Sequence, residues 1–302
     1  ANSNPDVVFL ALRMTKLAGD FCAAVSGRHT HPIAMTVGGF THFPTIGELK
    51  ELRQRLVDSW ADVNATVDLC ATLPWPKFER DTEYVSLTKP DEYAFIDGEI
   101  KTSDGVRVAV ESYKSVTNEY LVKHSTAKLT KNKRNSLMVG ALARFNNNYD
   151  QLHPKAKEAA AKLGMKPKVT NPFLNSAAQV VEIAHCTEDA IQVIDQLLAR
   201  GIKPEEPTSV KLKNCDGVGV AEVPRGMLIH HYEIGQDGMI TGADCIIPTN
   251  QNIANIQADM EALVPQIIDK SADEIRLELE MLVRAYDPCI SCSVHVLEVE
   301  NR

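Results

Sequence analysis

The 302-residue chain is short of several things. It has no run of about 18 apolar residues, which excludes a membrane-spanning helix. No repeat of fixed period occurs, which sets aside solenoids and propellers. No G-x-G-x-x-G opens a helix after a strand, so no nucleotide is expected in this chain; "GVGVAEVPRG" sits in strand-like sequence instead. A net charge of -8 leaves little to neutralise phosphates and argues against nucleic acid. The start, "ANSNPDVVFLALRMTK", lacks the basic and then apolar regions of a secretory signal.

Cysteine is sparse and odd in number. Seven residues, scattered except for one C-x-x-C pair at the end, fit a reducing compartment and mostly buried free thiols, so a cytoplasmic location is expected. Five basic residues crowd between Lys123 and Arg134. They read as a solvated loop, with a docking patch for an acidic partner as the other reading.

What is present is mainly helix. Thr45-Ile46-Gly47-Glu48 has the form of a capping box, and Leu49, Leu52, Leu56, Trp60, Val63 and Val67 follow on one face of a 3.6-residue period. Asn171-Pro172 opens a second helical stretch running to Arg200, with a break expected near Cys186-Thr187. Ser271 with Glu274 opens a third, bearing Ile275, Leu279, Leu282 and Tyr286 on one stripe. This helix must end where Asp287 meets Pro288. Short strands are expected at 93–96, 106–110, 217–222, 227–234 and 239–247, the last two joined by a turn at Gln236-Asp237-Gly238. The fold class is α+β and helix-dominated, with a small antiparallel β component, in a single domain over 1–302 with a short tail at 296–302.

The ending "AYDPCISCSVHVLEVENR" carries the chemistry. Proline stops a helix and presents Cys289 and Cys292 from one turn, with His295 close behind. Four readings stand at this point: a structural zinc site, for which a second ligand pair is missing; a thioredoxin-like redox pair, for which the βαβ setting is missing; two thiolates of a larger metal centre; and plain buried cysteines. On a strand, one of His230 and His231 must face the core as a packing histidine.

The stretch Asp287-Pro288-Cys289-Ile290-Ser291-Cys292-Ser293-Val294-His295 resembles the D-P-C-x-x-C-x-x-H ending of the large subunit of nickel-iron hydrogenases. "RHTHPIAMTVGGF" (28–40), "EVPRGMLIHHYEI" (222–234) and "IIPTNQN" (246–252) resemble further segments of that family, in the same order. The style is that of the cytoplasmic, cofactor-linked branch. The resemblance covers the C-terminal two thirds or so of such a subunit. It implies a nickel-iron centre with cyanide and carbon monoxide on the iron, and reversible heterolytic cleavage of dihydrogen. Cys289 would be a terminal nickel ligand, Cys292 would bridge nickel to iron, and soft thiolates suit both metals. His295 and the backbone carbonyl of Ile253 would bind a magnesium ion. Arg225, after Pro224, would hang over the metals and take or orient a proton or a cyanide, held by Asp287; Thr249 would donate to the other cyanide, and His31 would support the site without binding metal.

The resemblance also implies partners. An iron-sulfur small subunit would carry electrons, and flavin or heterodisulfide-type subunits would accept them. The family's first two thiolates come from another C-x-x-C, absent here, where Cys22, Cys70, Cys186, Cys215 and Cys245 are all isolated. A separate chain would then complete the site, or the gene is split or truncated, or the protein is a non-catalytic structural or sensing subunit on the same scaffold. An unrelated zinc or thiol protein is the third alternative. Members of the family are commonly trimmed after the histidine matching His295, so Val296 to Arg302 mark an unprocessed form or a tolerated tail.

Overall fold

The computed structural model describes residues 5–203, 208–211 and 213–292. The sequence reads as one domain; the chain folds as two compact units, one of residues 1–72 and 183–212, the other of 73–182 and 213–302. The boundary at 182/183 falls inside a helix that carries no proline or glycine there, so composition gives no sign of it.

The first unit contains helix α1 (Pro5–Ser26), a hairpin of β1 (Met35–Thr36) and β2 (Gly39–Phe40), and helices α2 (Ile46–Asp58) and α3 (Trp60–Thr72). The capping box at Thr45 and Glu48 forms with both reciprocal bonds. The apolar stripe that predicts one long helix is divided between α2 and α3. At the junction Ser59 Oγ donates to the Leu56 carbonyl at 2.7 Å, a local bond that competes with the helical ladder. Leu49, Leu52 and Leu56 are buried against Ile194, Leu17 and Phe21.

The second unit contains two main sheets. Strand β3 (Glu83–Thr88) pairs antiparallel with β4 (Glu99–Thr102), which pairs with β5 (Arg107–Ala109). A small hairpin follows, β6 (Asn118–Tyr120) with β7 (Leu129–Lys131), and then β8 (Leu137–Met138) closes the first sheet by pairing parallel to β3. Every residue of β3 is buried, so it lacks the alternation by which a half-exposed strand is read. Helices α4 (Ala141–Asn148), α5 (Pro154–Lys162) and α6 (Asn175–Arg200) come next. The expected break in α6 does not occur, because Thr187 Oγ1 bonds back to the Ile183 carbonyl at 2.8 Å instead of capping a new helix. The second sheet is the antiparallel meander β9 (Cys215–Val223), β10 (Gly226–Ile234) and β11 (Ile240–Ile246), as the alternating pattern predicts. Helices α7 (Pro248–Ile267) and α8 (Ala272–Ala285) complete the unit.

The expected strand at 93–96 is a loop. Tyr93 and Ala94 are buried there, and Tyr93 donates its hydroxyl proton to Glu182 at 2.8 Å, so burial was read as strand where side chains alone enter the core. The core gathers Val85, Leu87 and Ile100 of the first sheet with Met227, Ile229 and Ile246 of the second. Two of the five basic residues from Lys123 to Arg134 are neutralised locally: Lys128 bonds Glu119 at 2.7 Å, and Arg134 bonds Asp81 and Asp104 at 2.7 and 2.8 Å. No described helix is long and apolar enough to cross a membrane.

Helix α8 starts from the second capping box. Ser271 Oγ accepts from the Glu274 amide, while the Glu274 carboxylate accepts from the Ser271 amide at 3.0 Å. The Ser271 hydroxyl, which donates to the same carboxylate at 2.6 Å, and then the Ser271 amide hold the Glu274 carboxyl below the usual range, so its contribution is present above the ordinary glutamate value and is lost as the pH falls through the lowered one. Ser271→Ala is expected to cost about 1 kcal/mol, the ordinary worth of a cap, by urea denaturation at neutral pH. An unchanged midpoint would show that the box contributes nothing to the cooperative unit.

Candidate metal centre

The site is framed in the second unit by the first turns of α7. Pro248 occupies the first turn, where its missing N–H costs nothing, and Thr249, Asn250, Gln251 and Asn252 are all buried. Four consecutive buried polar residues need partners. Asn252 Oδ1 accepts from the Val139 amide at 2.9 Å, and its Nδ2 donates to the carbonyls of Val139 and Arg225 at 3.3 Å. Gln251 Nε2 donates to the Met227 carbonyl at 2.6 Å. Two chain segments, 139–140 and 225–227, are thereby pinned to one helix end.

They also touch each other, which demands glycine at both crossing points. Gly140 has φ 109°, and a Cβ there would lie 3.1 Å from the Arg225 carbonyl oxygen. Gly226 has φ 132°, and its Cβ would lie 2.3 Å from Val139 Cγ2. Neither conformation nor space admits a side chain.

A second polar frame holds the end of α8. Tyr286 is buried; its hydroxyl donates to the Asp259 carboxylate and accepts from Asn255 Nδ2 at 2.7 Å. Arg80 closes the group, bonding Asp259 and, at 2.6 Å, Asn255 Oδ1. Burial pushes the Asp259 carboxyl up, against the pull of Arg80 and Tyr286. Burial, and then Asp259, pushes the Tyr286 phenol up as well. Asp259 thus favours the fold most in its protonated form, a contribution lost as the pH rises through its raised value. From the other side, Asn175 Nδ2 donates to the Ala285 carbonyl at 2.7 Å.

The chain then turns sharply. Asp287 sits in the left-handed region at φ 51°, which aspartate tolerates better than most residues, and Pro288 prevents any return to helix. Arg225 Nε donates to the Asp287 carbonyl, and Nη2 lies 3.4 Å from Asp287 Oδ1. The arginine side chain is 34% exposed and the aspartate 44%, so the pair fixes position more than it adds stability. Two residues on, the Cys289 amide donates to Thr249 Oγ1 at 3.2 Å. Because Thr249 accepts this bond through oxygen, its own O–H remains to donate.

Cys289 and Cys292 lie on the two ends of one 3-10 turn, with Cα atoms 5.3 Å apart and their sulfurs joined as a disulfide. Against expectation, none of the other five cysteines is buried: Cys22, Cys186 and Cys215 are exposed and Cys70 and Cys245 intermediate. In a helix-rich fold whose core is aliphatic, they fall on element surfaces. His231 faces the core side and meets Tyr113 edge-on, while His230 turns to Tyr232 and Cys245, as the strand alternation predicts.

The structure therefore brings together Arg225, Thr249, Asp287, Cys289 and Cys292, with Pro224 adjoining. His31 lies in the first unit, exposed, at φ 56°. His295 and the tail from Val296 lie outside the described residues. Ile253 falls inside α7, where helix geometry directs its carbonyl at the amide four residues ahead; a cation there would have to use the second lone pair. Sequence reading missed Asn252, Asn255, Asp259 and Tyr286. The signal was available in "PTNQNIAN", where polar residues occupy the positions of an inward helical stripe.

As a metal site, the residues fit half of a thiolate set. Two sulfur donors at a single turn, with an arginine and a free hydroxyl beside them, suit soft metals carrying anionic ligands. Among the described residues no group of three or more His, Cys, Asp or Glu side chains gathers, so further donors must come from elsewhere. Binding as a dithiolate also needs the disulfide reduced by two electrons.

The family model for nickel-dependent hydrogenases matches residues 89–295, and the chain belongs to that family, whose members are oxidoreductases acting on dihydrogen. It is 34% identical over 294 residues to the alpha subunit of sulfhydrogenase 1 from Pyrococcus furiosus, covering 96% of this chain and 68% of that one. It is 27% identical to a subunit of the F420-non-reducing hydrogenase from Methanothermobacter marburgensis, covering 99% and 67%. Among solved structures, an NAD+-reducing [NiFe]-hydrogenase in the H2-reduced state superposes with a TM-score of 0.83 at 23% identity, covering 98% of this chain and 70% of the other. The chain thus spans about two thirds of the length of these relatives.

Proposed function

We propose that this chain supplies the C-terminal part of the nickel-iron centre in a hydrogenase complex that reversibly splits dihydrogen into protons and electrons. The observation that carries the reading is the convergence of the Cys289–Cys292 pair with Arg225, Asp287 and Thr249 on one helix end. The centre, when bound, supplies the polarisation of dihydrogen and the acceptance of its electrons. The protein's own groups do the rest. Cys289, as the terminal thiolate, accepts a proton. Arg225, fixed on the Asp287 carbonyl, would offer its remaining N–H groups to anionic ligands of the centre. Thr249 offers its hydroxyl proton to a second such ligand. His295 and the Ile253 carbonyl would bind a magnesium ion.

The missing thiolate pair comes, in this reading, from a further polypeptide segment. Electrons leave through an iron-sulfur subunit, with flavin or heterodisulfide-type subunits beyond it, in the cytoplasm. Elemental analysis joined to infrared spectroscopy of the purified complex tests the reading. Nickel together with cyanide and carbonyl stretches is expected. Absence of both would leave a structural or sensing subunit on this scaffold, and zinc in their place would point to a thiol-zinc protein.

A further inference from the structure

Among the described residues Arg144 is the largest fully buried side chain, and each of its five N–H donors has a partner. Nε and one Nη2 hydrogen bond the two oxygens of Glu182 at 2.6 and 2.7 Å, a bidentate fork. Nη1 donates to Glu222 Oε2 at 2.8 Å and to the Val223 carbonyl at 2.9 Å, and Nη2 donates also to the Pro224 carbonyl at 3.3 Å. The two carboxylates are themselves tied down. Tyr93 donates to Glu182, and the Leu87 amide of β3 donates to Glu222 Oε1 at 2.8 Å. Two buried carboxylates face one guanidinium, and burial pushes the Glu222 carboxyl up in spite of Arg144.

This is a costly arrangement for stability alone, since buried ion clusters are commonly replaceable by apolar packing. Its position gives the reason. Glu222, Val223 and Pro224 are the three residues directly before Arg225, and Arg144 binds the side chain of the first and the carbonyls of the other two. On the far side, Asn252 holds the Arg225 carbonyl and Val139 abuts Gly226. The backbone is thus fixed on both sides of Arg225, and the segment's one free group is the Arg225 side chain that reaches Asp287.

We infer that Arg144 is the positioning residue for Arg225: through the carbonyls of Val223 and Pro224 it sets where the Arg225 guanidinium stands. The inference rests on the reading of Arg225 as the arginine of a hydrogen-splitting site. Lysine cannot substitute, because three donors on a point charge reproduce neither the fork to Glu182 nor both carbonyl bonds.

Nitrogen-15 spectra of arginine Nε–H groups in the full chain test it without any metal. Arg225 Nε–H is bonded to the Asp287 carbonyl, and Arg80 Nε–H, bonded to Asp259, serves as an internal control. In Arg144→Lys and in Arg144→Gln, solvent exchange of the Arg225 Nε–H is expected to rise at least about tenfold, the loss of roughly one hydrogen bond's worth of protection, with Arg80 unchanged. An Arg225 signal that keeps its protection in Arg144→Lys overturns the inference. So does joint loss of both signals, which would make Arg144 a general structural residue. In the assembled complex, Arg144→Lys should shift the cyanide stretches as Arg225→Lys does. If the unaltered complex shows no such bands, the hydrogenase reading fails while the exchange measurement still decides the role of Arg144.

Discussion

Replacing Cys289 with serine is expected to abolish hydrogen uptake by the assembled complex and to lower its nickel content, while leaving the chain folded. The tie of Cys289 to the buried frame is its backbone amide bond to Thr249, which serine keeps. An alkoxide is a hard donor where a soft thiolate is required. Even partners one step removed from a metal cost about 10- to 100-fold when altered, so loss of a direct ligand should exceed roughly a hundredfold. Uptake rates, nickel content and far-UV circular dichroism on the same preparation check all three parts. Uptake that survives the change would mean that Cys289 is not the terminal ligand.

The largest stability effect is expected at Gly226. In Gly226→Ala the new methyl meets Val139 Cγ2 at 2.3 Å and the Gly140 amide nitrogen at 3.0 Å, at a φ of 132° that side chains rarely adopt. Overpacking costs about 1–3 kcal/mol and the backbone conformation about 1–3 more, so roughly 2–6 kcal/mol should be lost in all. Against a total stability of about 5–15 kcal/mol, that is a large fraction of what holds the molecule folded. Gly105→Ala is the matched control: its φ of 87° is also positive, but nothing lies within 4 Å of the added methyl. Denaturant midpoints should place Gly226→Ala far below Gly105→Ala. Equal midpoints would show that the crossing of 139–140 with 225–226 is slack.

The sequence was legible where local rules operate. Both capping boxes, the meander β9 to β11, the stop at Asp287-Pro288 and the inward turn of His231 follow from spacing and residue type. Burial on every face hid β3, and a hydroxyl back-bond at Ser59 divided a helix whose apolar stripe runs on unbroken. In the site, Arg225, Thr249, Asp287, Cys289 and Cys292, which the fold brings together, were legible from the ordered motifs. The residues that hold them were not, because Arg144, Asn252 and Asn255 find their partners across long stretches of chain. An arginine inside "VGALARF" looks like an intrusion in an apolar run until its two carboxylates are seen.

Those long spans carry a kinetic consequence. The bond from Asn252 to Val139 closes 113 residues and that from Arg225 to Asp287 closes 62, so a fragment lacking either end of these spans cannot make the same contacts. Closure over such distances comes late, after the chain entropy of both loops has been surrendered. The cysteine turn, hung on Thr249 and Asp287, is therefore set in place only as folding finishes. A chain still partly unfolded presents the cysteine pair with no arginine beside it.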